Sequence, residues 1–136
     1  MSNTASTLIG LFAWAIVLTF VLVNVRLLAV SGGKALNAFD PTGKDMSGFG
    51  YRVTRAHGNT IENLAILVTP LLYAIATNQT AVTEGLACWV LYSRVAQSIV
   101  HMLSTDKPAV LVRATLFSVQ MVIGLIWAWK FCHSGA

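Results

Sequence analysis

The chain is built from long apolar segments that are separated by short polar connections. The segments cover residues 7–30, 52–77, 82–103 and 108–131. Each is close to the roughly 20 residues that a helix needs to cross the hydrocarbon core of a bilayer. Hydrophobic residues make up 56% of the sequence and charged residues only 10%, so the composition excludes an average soluble domain. We therefore expect an all-α integral membrane protein, a four-helix bundle that forms one domain over residues 1–136.

The positive charges predict how the helices are oriented. The first and third connections hold Lys34, Lys44, Arg52, Arg55, Lys107 and Arg113. Near the second connection the one charged residue is Glu84. Because cytoplasmic loops carry an excess of Lys and Arg, we expect both basic connections in the cytoplasm and both termini on the opposite side. The first apolar segment lacks the positive start and the cleavage site of a signal peptide, so we expect it to remain as a helix.

The basic balance of the chain does not indicate binding to nucleic acid. The pI of about 9.4 is explained by the excess of positive charge in the cytoplasmic connections. No basic run or aromatic platform accompanies it. Cys88 and Cys132 lack the spacing of a metal site or of a disulfide framework. The sequence therefore predicts neither a nucleic-acid partner nor a bound metal.

The second apolar segment contains a polar stripe. On a helix with about 100° per residue, five polar side chains fall within one arc of roughly 100°. They are Arg52, Arg55, Asn59, Glu62 and Asn63. An ionisable group inside a bilayer is costly unless it is paired or hydrated. The stripe is therefore expected to face protein, a partner subunit or a polar ligand rather than lipid.

Every predicted helix places an arginine in the cytoplasmic half of the bundle. The polar residues collected there are Asn24, Arg26, Arg55, Arg94, Gln97, His101 and Arg113. Gln97 and His101 follow Arg94 at i+3 and i+7 and share its helix face, so we predict a single polar cleft. Two simpler interpretations stay open. Arg26 can anchor its helix at the lipid headgroups, and Gln97 or His101 can merely bridge neighbouring helices.

The charges of the predicted cleft favour an anionic ligand. Four arginines face the single carboxylate of Glu62, and such an excess of positive charge needs an anionic partner. Guanidinium groups bind carboxylates through paired hydrogen bonds, whereas a lone carboxylate suits an ammonium group. Glutathione carries two carboxylates, one ammonium and one thiol, and so fits these side chains. An arginine near its sulfur would lower the thiol pKa and raise the fraction of nucleophilic thiolate.

One motif in the second segment resembles a known family. The motif reads Arg55-Ala56-His57-x-Asn59-x-x-Glu62-Asn63. It is similar to that of the membrane-associated proteins in eicosanoid and glutathione metabolism, the MAPEG family, and most of all to the microsomal glutathione transferases. Arg26, Arg94 and Arg113 support the resemblance in the other three helices, and the length and four-helix layout extend it over the whole chain.

The resemblance implies a homotrimer that binds glutathione between adjacent subunits, in clefts open toward the cytoplasmic side. Arg26 and His57 would reach glutathione from the neighbouring subunit, and Arg113 would face the thiolate as the catalytic residue. Combined with the polar faces above, the expected glutathione-binding residues are Arg26, Arg55, His57, Asn59, Glu62, Arg94, Gln97 and His101.

The expected function is a glutathione transferase for lipophilic electrophiles that enter from the membrane lipid, with glutathione peroxidase activity as a second option. A different class is a small multidrug-type transporter, in which Glu62 binds cationic drugs in exchange for protons. A third is a family member that has lost catalysis and binds lipid. Family members often have tyrosines where this chain has Gln97, His101 and Phe117.

Overall fold

The computed structural model describes residues 1–133, and all of their regular structure is helical. The helices are α1 (Asn3–Ser31), α2 (Gly48–Ala76), α3 (Thr80–Glu84), α4 (Ala87–Leu103) and α5 (Lys107–His133). Three of them, α1, α2 and α5, are long and apolar enough to cross a membrane. The all-α prediction and its four main helices are therefore confirmed, in the form of a multi-pass membrane protein.

The third predicted segment differs from the expectation of one continuous helix. It is broken at Gly85 and Leu86, between the short α3 and the 17 residues of α4. At 1.5 Å per residue α4 is about 26 Å long, less than the roughly 30 Å of a hydrocarbon core. Glycine is a weak helix former, which favours the break at this point. A second reason is that the preceding Glu84 is engaged by α1.

Glu84 holds the beginning of α1. Its carboxylate accepts hydrogen bonds from the backbone N–H of Asn3 at 2.7 Å and of Thr4 at 3.1 Å. The Thr4 hydroxyl donates to the same carboxylate at 3.0 Å and contacts the Thr83 hydroxyl at 2.8 Å. The first N–H groups of a helix have no partner within the helix, and they carry the positive end of its dipole. Glu84 therefore supplies both the acceptors and the charge that this helix end requires.

The helices run up and down, so that the apolar core and the arginines occupy opposite halves of the bundle. The core combines the first half of α1, the second half of α2, the beginning of α4 and the end of α5. Its buried members are Leu11, Leu67, Leu71, Ala87, Val90, Ile123 and Trp127. Helix α1 packs against α2 and α4, and α4 packs against α5, whereas α2 and α5 contact each other less. A groove therefore follows the α2–α5 side of the bundle.

We predict that Glu84→Gln lowers the melting temperature of the detergent-solubilised protein at neutral pH. The backbone N–H groups of Asn3 and Thr4 lower the pKa of Glu84 below its ordinary value of 4.5. A carboxyl group whose pKa is lowered by folding stabilises the fold above its unfolded-state pKa, and this contribution is lost as the pH falls through the folded-state pKa. The difference in melting temperature between the wild-type protein and Glu84→Gln should therefore disappear in acid. The measurement is thermal unfolding as a function of pH.

The matched control for this experiment is Asp106→Asn, which also removes one carboxylate but leaves α1 untouched. Asparagine caps a helix about as well as aspartate, so the melting temperature of Asp106→Asn at neutral pH should fall less than that of Glu84→Gln and should depend less on pH. If Glu84→Gln and wild type still differ equally at a pH well below 4.5, the charge of Glu84 is not what stabilises the beginning of α1.

Candidate functional site

A polar cleft lies between α2, α4 and α5 in the half of the bundle that holds the arginines. Its volume is about 640 Å³, within the range of about 300 to 1,000 Å³ that is typical of small-molecule sites. Its polar wall consists of Arg55, Asn59, Gln97, His101 and Arg113. Tyr51 and Phe117 add aromatic surface to the same wall. Five of the predicted site residues thus meet in one cavity of a single chain.

Asn59 is held in place from the far side of the cleft. Its Oδ1 accepts hydrogen bonds from Arg94 Nη1 at 3.0 Å and from Gln97 Nε2 at 3.3 Å. Gln97 in turn accepts a hydrogen bond on Oε1 from Gln120 Nε2 at 2.9 Å. These bonds connect α2, α4 and α5 through side chains that are buried or half-buried. The cleft wall is therefore supported by a polar network rather than by apolar packing.

Arg94 lies behind the cleft and does not line it. Its side chain is 0% exposed, and its Nε and Nη2 have no hydrogen-bond partner within residues 1–133. Over the same residues the one ion pair joins Lys34 and Asp45, so no carboxylate compensates the Arg94 charge. Within one chain Arg94 therefore does not lie where we expected it, in contact with a ligand in the cleft. A buried guanidinium without a counter-charge instead makes the neighbouring cleft attractive to anions.

Arg26 and His57 lie away from this cleft. His57 lies two positions before Asn59, so the two side chains point about 160° apart around the axis of α2. Its Nε2 is 3.1 Å from the hydroxyl of Thr19 on α1, and the Arg26 guanidinium stacks 5.3 Å from the centre of the Phe39 ring. One chain does not bring these two residues to Arg55 and Asn59. All four residues could contact one ligand only if a second subunit supplied Arg26 and His57.

Glu62 is exposed on α2 and makes no ion pair within residues 1–133. It is less than one helical turn from Asn59, on the same side of α2, but it does not line the cleft. The predicted pairing of its carboxylate with nearby arginines is therefore not formed within one chain. An exposed carboxylate on a membrane-crossing helix is left to meet another subunit, a ligand or water.

Comparison with known proteins agrees with the motif on α2. The MAPEG family model matches residues 4–132. The chain belongs to the MAPEG family. No curated protein and no solved structure matches it. The resemblance to the MAPEG family is thus confirmed over nearly the whole chain, whereas no named relative places the chain nearer to the microsomal glutathione transferases. The polar cleft is the candidate site of this MAPEG protein.

Helical spacing in the sequence places Gln120 on the same face as Arg113, but Gln120 was not among the expected glutathione-binding residues. Gln120 is 0% exposed and lies seven residues after Arg113, on the same side of α5. That spacing was visible in the sequence. Its contact with Gln97 was not, because it depends on how closely α4 and α5 pack. The second unpredicted neighbour is Phe39, which the long connection after α1 folds back onto Arg26.

Proposed function

We propose that this MAPEG protein binds glutathione in the cleft and transfers its thiolate sulfur to lipophilic electrophiles. Many members of the family are glutathione transferases or synthases. The observation that carries the proposal is the unbalanced charge of the cleft, where Arg55 and Arg113 share a wall with no carboxylate. Buried Arg94 adds a third positive charge behind this wall. A tripeptide with two carboxylates would compensate much of this charge, because guanidinium groups and carboxylates form strong paired hydrogen bonds.

The polar groups fit the two ends of glutathione differently. Arg55 and the amide of Asn59 offer donors for its carboxylates. Its ammonium needs an acceptor, and Glu62 is the one carboxylate on this side of α2. Because Glu62 lies outside the cleft wall of a single chain, we propose that the complete site forms between subunits. Arg26 and His57 would then come from the neighbouring chain of a homotrimer, on the cytoplasmic side of the membrane.

Arg113 is the proposed catalytic residue. A positive charge beside the sulfur favours thiolate over thiol, and thiolate is the nucleophilic form. The sulfur then bonds to the electrophilic carbon, whose leaving group departs with the bonding electron pair. The α2–α5 groove supplies an apolar surface for such electrophiles. In the half of the bundle away from the arginines it widens to a cavity of about 970 Å³ that is lined by Ile66, Pro70, Tyr73, Leu125 and Phe131.

We predict that Arg113→Leu separates binding from chemistry. Glutathione affinity should change little, because the carboxylates are held by other groups. The ultraviolet absorbance of bound thiolate should be lost, and conjugation of a chlorodinitrobenzene-type electrophile should fall about a hundredfold, or about 2.7 kcal/mol of transition-state stabilisation. Difference spectra and steady-state rates measure the two effects on the same protein.

The matched control is Lys107→Leu, which removes one positive charge from the exposed beginning of the same helix. It should keep both the thiolate signal and the rate. Full thiolate formation and turnover in Arg113→Leu would show that another arginine activates the sulfur. Arg55→Leu should instead weaken glutathione binding itself.

A second prediction concerns Glu62→Gln, which keeps the size of the side chain and removes its charge. If Glu62 binds the glutathione ammonium, affinity should fall tenfold or more, about 1.4 kcal/mol. Isothermal titration with glutathione measures this. A proton-coupled transporter would instead lose cation uptake in proteoliposomes while glutathione titration of mutant and wild type gave the same result. That outcome would replace the transferase proposal.

The third prediction is the number of chains in the assembly. Glu62, Arg26 and His57 complete one site only if subunits share it, and the family resemblance implies that the number of subunits is three. Native mass spectrometry in several mild detergents should show three chains. A monomer that still binds glutathione with unchanged affinity would contradict the shared site.

A further inference from the structure

Gln120 begins a chain of hydrogen bonds that reaches the cleft from behind. Its Nε2 donates to Gln97 Oε1 at 2.9 Å and to the backbone carbonyl of Leu116 at 2.9 Å. Both acceptors are oxygens that cannot donate, so the amide of Gln120 must turn its nitrogen toward Gln97. Because its side chain is 0% exposed, no water competes for this position at the surface. The contact therefore fixes the orientation of Gln97.

The orientation of Gln97 is passed on to Asn59. Since Gln97 Oε1 faces Gln120, Gln97 Nε2 faces Asn59 and donates to its Oδ1 at 3.3 Å. Arg94 Nη1 donates to the same oxygen at 3.0 Å, and a guanidinium has no acceptor atom. Turning either amide over would bring two donors or two acceptors together. Asn59 is thus forced to direct Oδ1 toward α4.

The consequence for the cleft is that Asn59 has only N–H groups left to offer. Its Nδ2 makes no hydrogen bond within residues 1–133, while Asn59 lines the cleft beside Arg55 and Arg113. An asparagine that was free to turn would present an oxygen to the ligand as readily as a nitrogen. Beside a carboxylate that oxygen would be repelled. The two donors from α4, Arg94 and Gln97, remove this alternative together before any ligand binds.

We propose that Gln120 is a positioning residue that acts through Gln97 and, together with the Arg94 guanidinium, keeps Asn59 turned with its N–H donors toward an anionic ligand. The role of Asn59 toward glutathione rests on the proposed function, but the hydrogen-bond chain does not. A role in packing alone does not explain Gln120. Its Oε1 has no hydrogen-bond partner, and a buried polar atom left unpaired costs stability that an apolar side chain of the same shape would avoid.

The test is a double-mutant cycle that combines Gln120→Met with Asn59→Ala. Methionine nearly preserves the length of glutamine but cannot donate to Gln97. Gln120→Met should raise the KM for glutathione about tenfold and leave kcat nearly unchanged. If Gln120 acts through Asn59, the double variant should be no worse than Asn59→Ala alone. The matched control is Ser118→Ala on α5, whose hydroxyl bonds only to the Ala114 carbonyl of its own helix.

Two kinetic results would overturn the proposal. Effects of the two substitutions that simply add would show that Gln120 acts independently of Asn59. An unchanged KM in Gln120→Met would show that Asn59 keeps its orientation without the chain. Gln120→Leu serves as a second variant that also lacks the donor, so failure of the methionine variant to fold does not end the test.

A spectroscopic measurement distinguishes failure of this proposal from failure of the proposed function. In ligand-free protein labelled with nitrogen-15 at asparagine and glutamine, Gln120→Met should shift the side-chain amide signals of Asn59, which are identified by their loss in Asn59→Ala. Asn59 side-chain amide signals that are the same in Gln120→Met and wild type would overturn the proposal. If the wild-type protein binds no glutathione, the proposed function fails, and these signals still decide whether Gln120 positions Asn59.

Discussion

The polar half of the bundle depends on one shared acceptor, the Oδ1 of Asn59. Two donors from α4, Arg94 Nη1 and Gln97 Nε2, converge on this oxygen of α2. In the interior of a membrane protein the hydrophobic effect does not hold helices together, so interhelical hydrogen bonds and close packing matter more. Thr60 and Ser98 add a further hydrogen bond between the same helices at 3.2 Å. The register of α2 against α4, and with it the position of Arg55, follows from these contacts.

The same contacts make the cleft costly without a ligand. Arg94 is buried without a carboxylate partner among residues 1–133, and Arg55 and Arg113 line the wall in front of it. A fold selected only for stability would replace such a guanidinium with an apolar side chain of similar volume. The arrangement is understandable if part of the stabilisation comes from an anion in the cleft.

The other half of the bundle follows a different principle. Leucines, Val90 and Trp127 form an apolar core there, and Glu84 binds the first N–H groups of α1. This half has little charge to accommodate, so its helices pack through apolar side chains and Glu84 holds the beginning of α1. The apolar core holds together the helices that also carry the polar network.

The sequence by itself determined the membrane class, the four main helices and the MAPEG family, because apolar length and the α2 motif are local properties of the chain. It also predicted that Arg55, Asn59, Gln97, His101 and Arg113 would meet, since helical spacing places each on one face. Only the tertiary structure decided that Arg94 supports Asn59 from behind, that Gln120 donates to Gln97, and that Glu84, just before the break in the third segment, binds α1. Each of these depends on the distance between atoms of different helices. Periodicity along one helix cannot provide that distance, because it is set by how the side chains of two helices pack together.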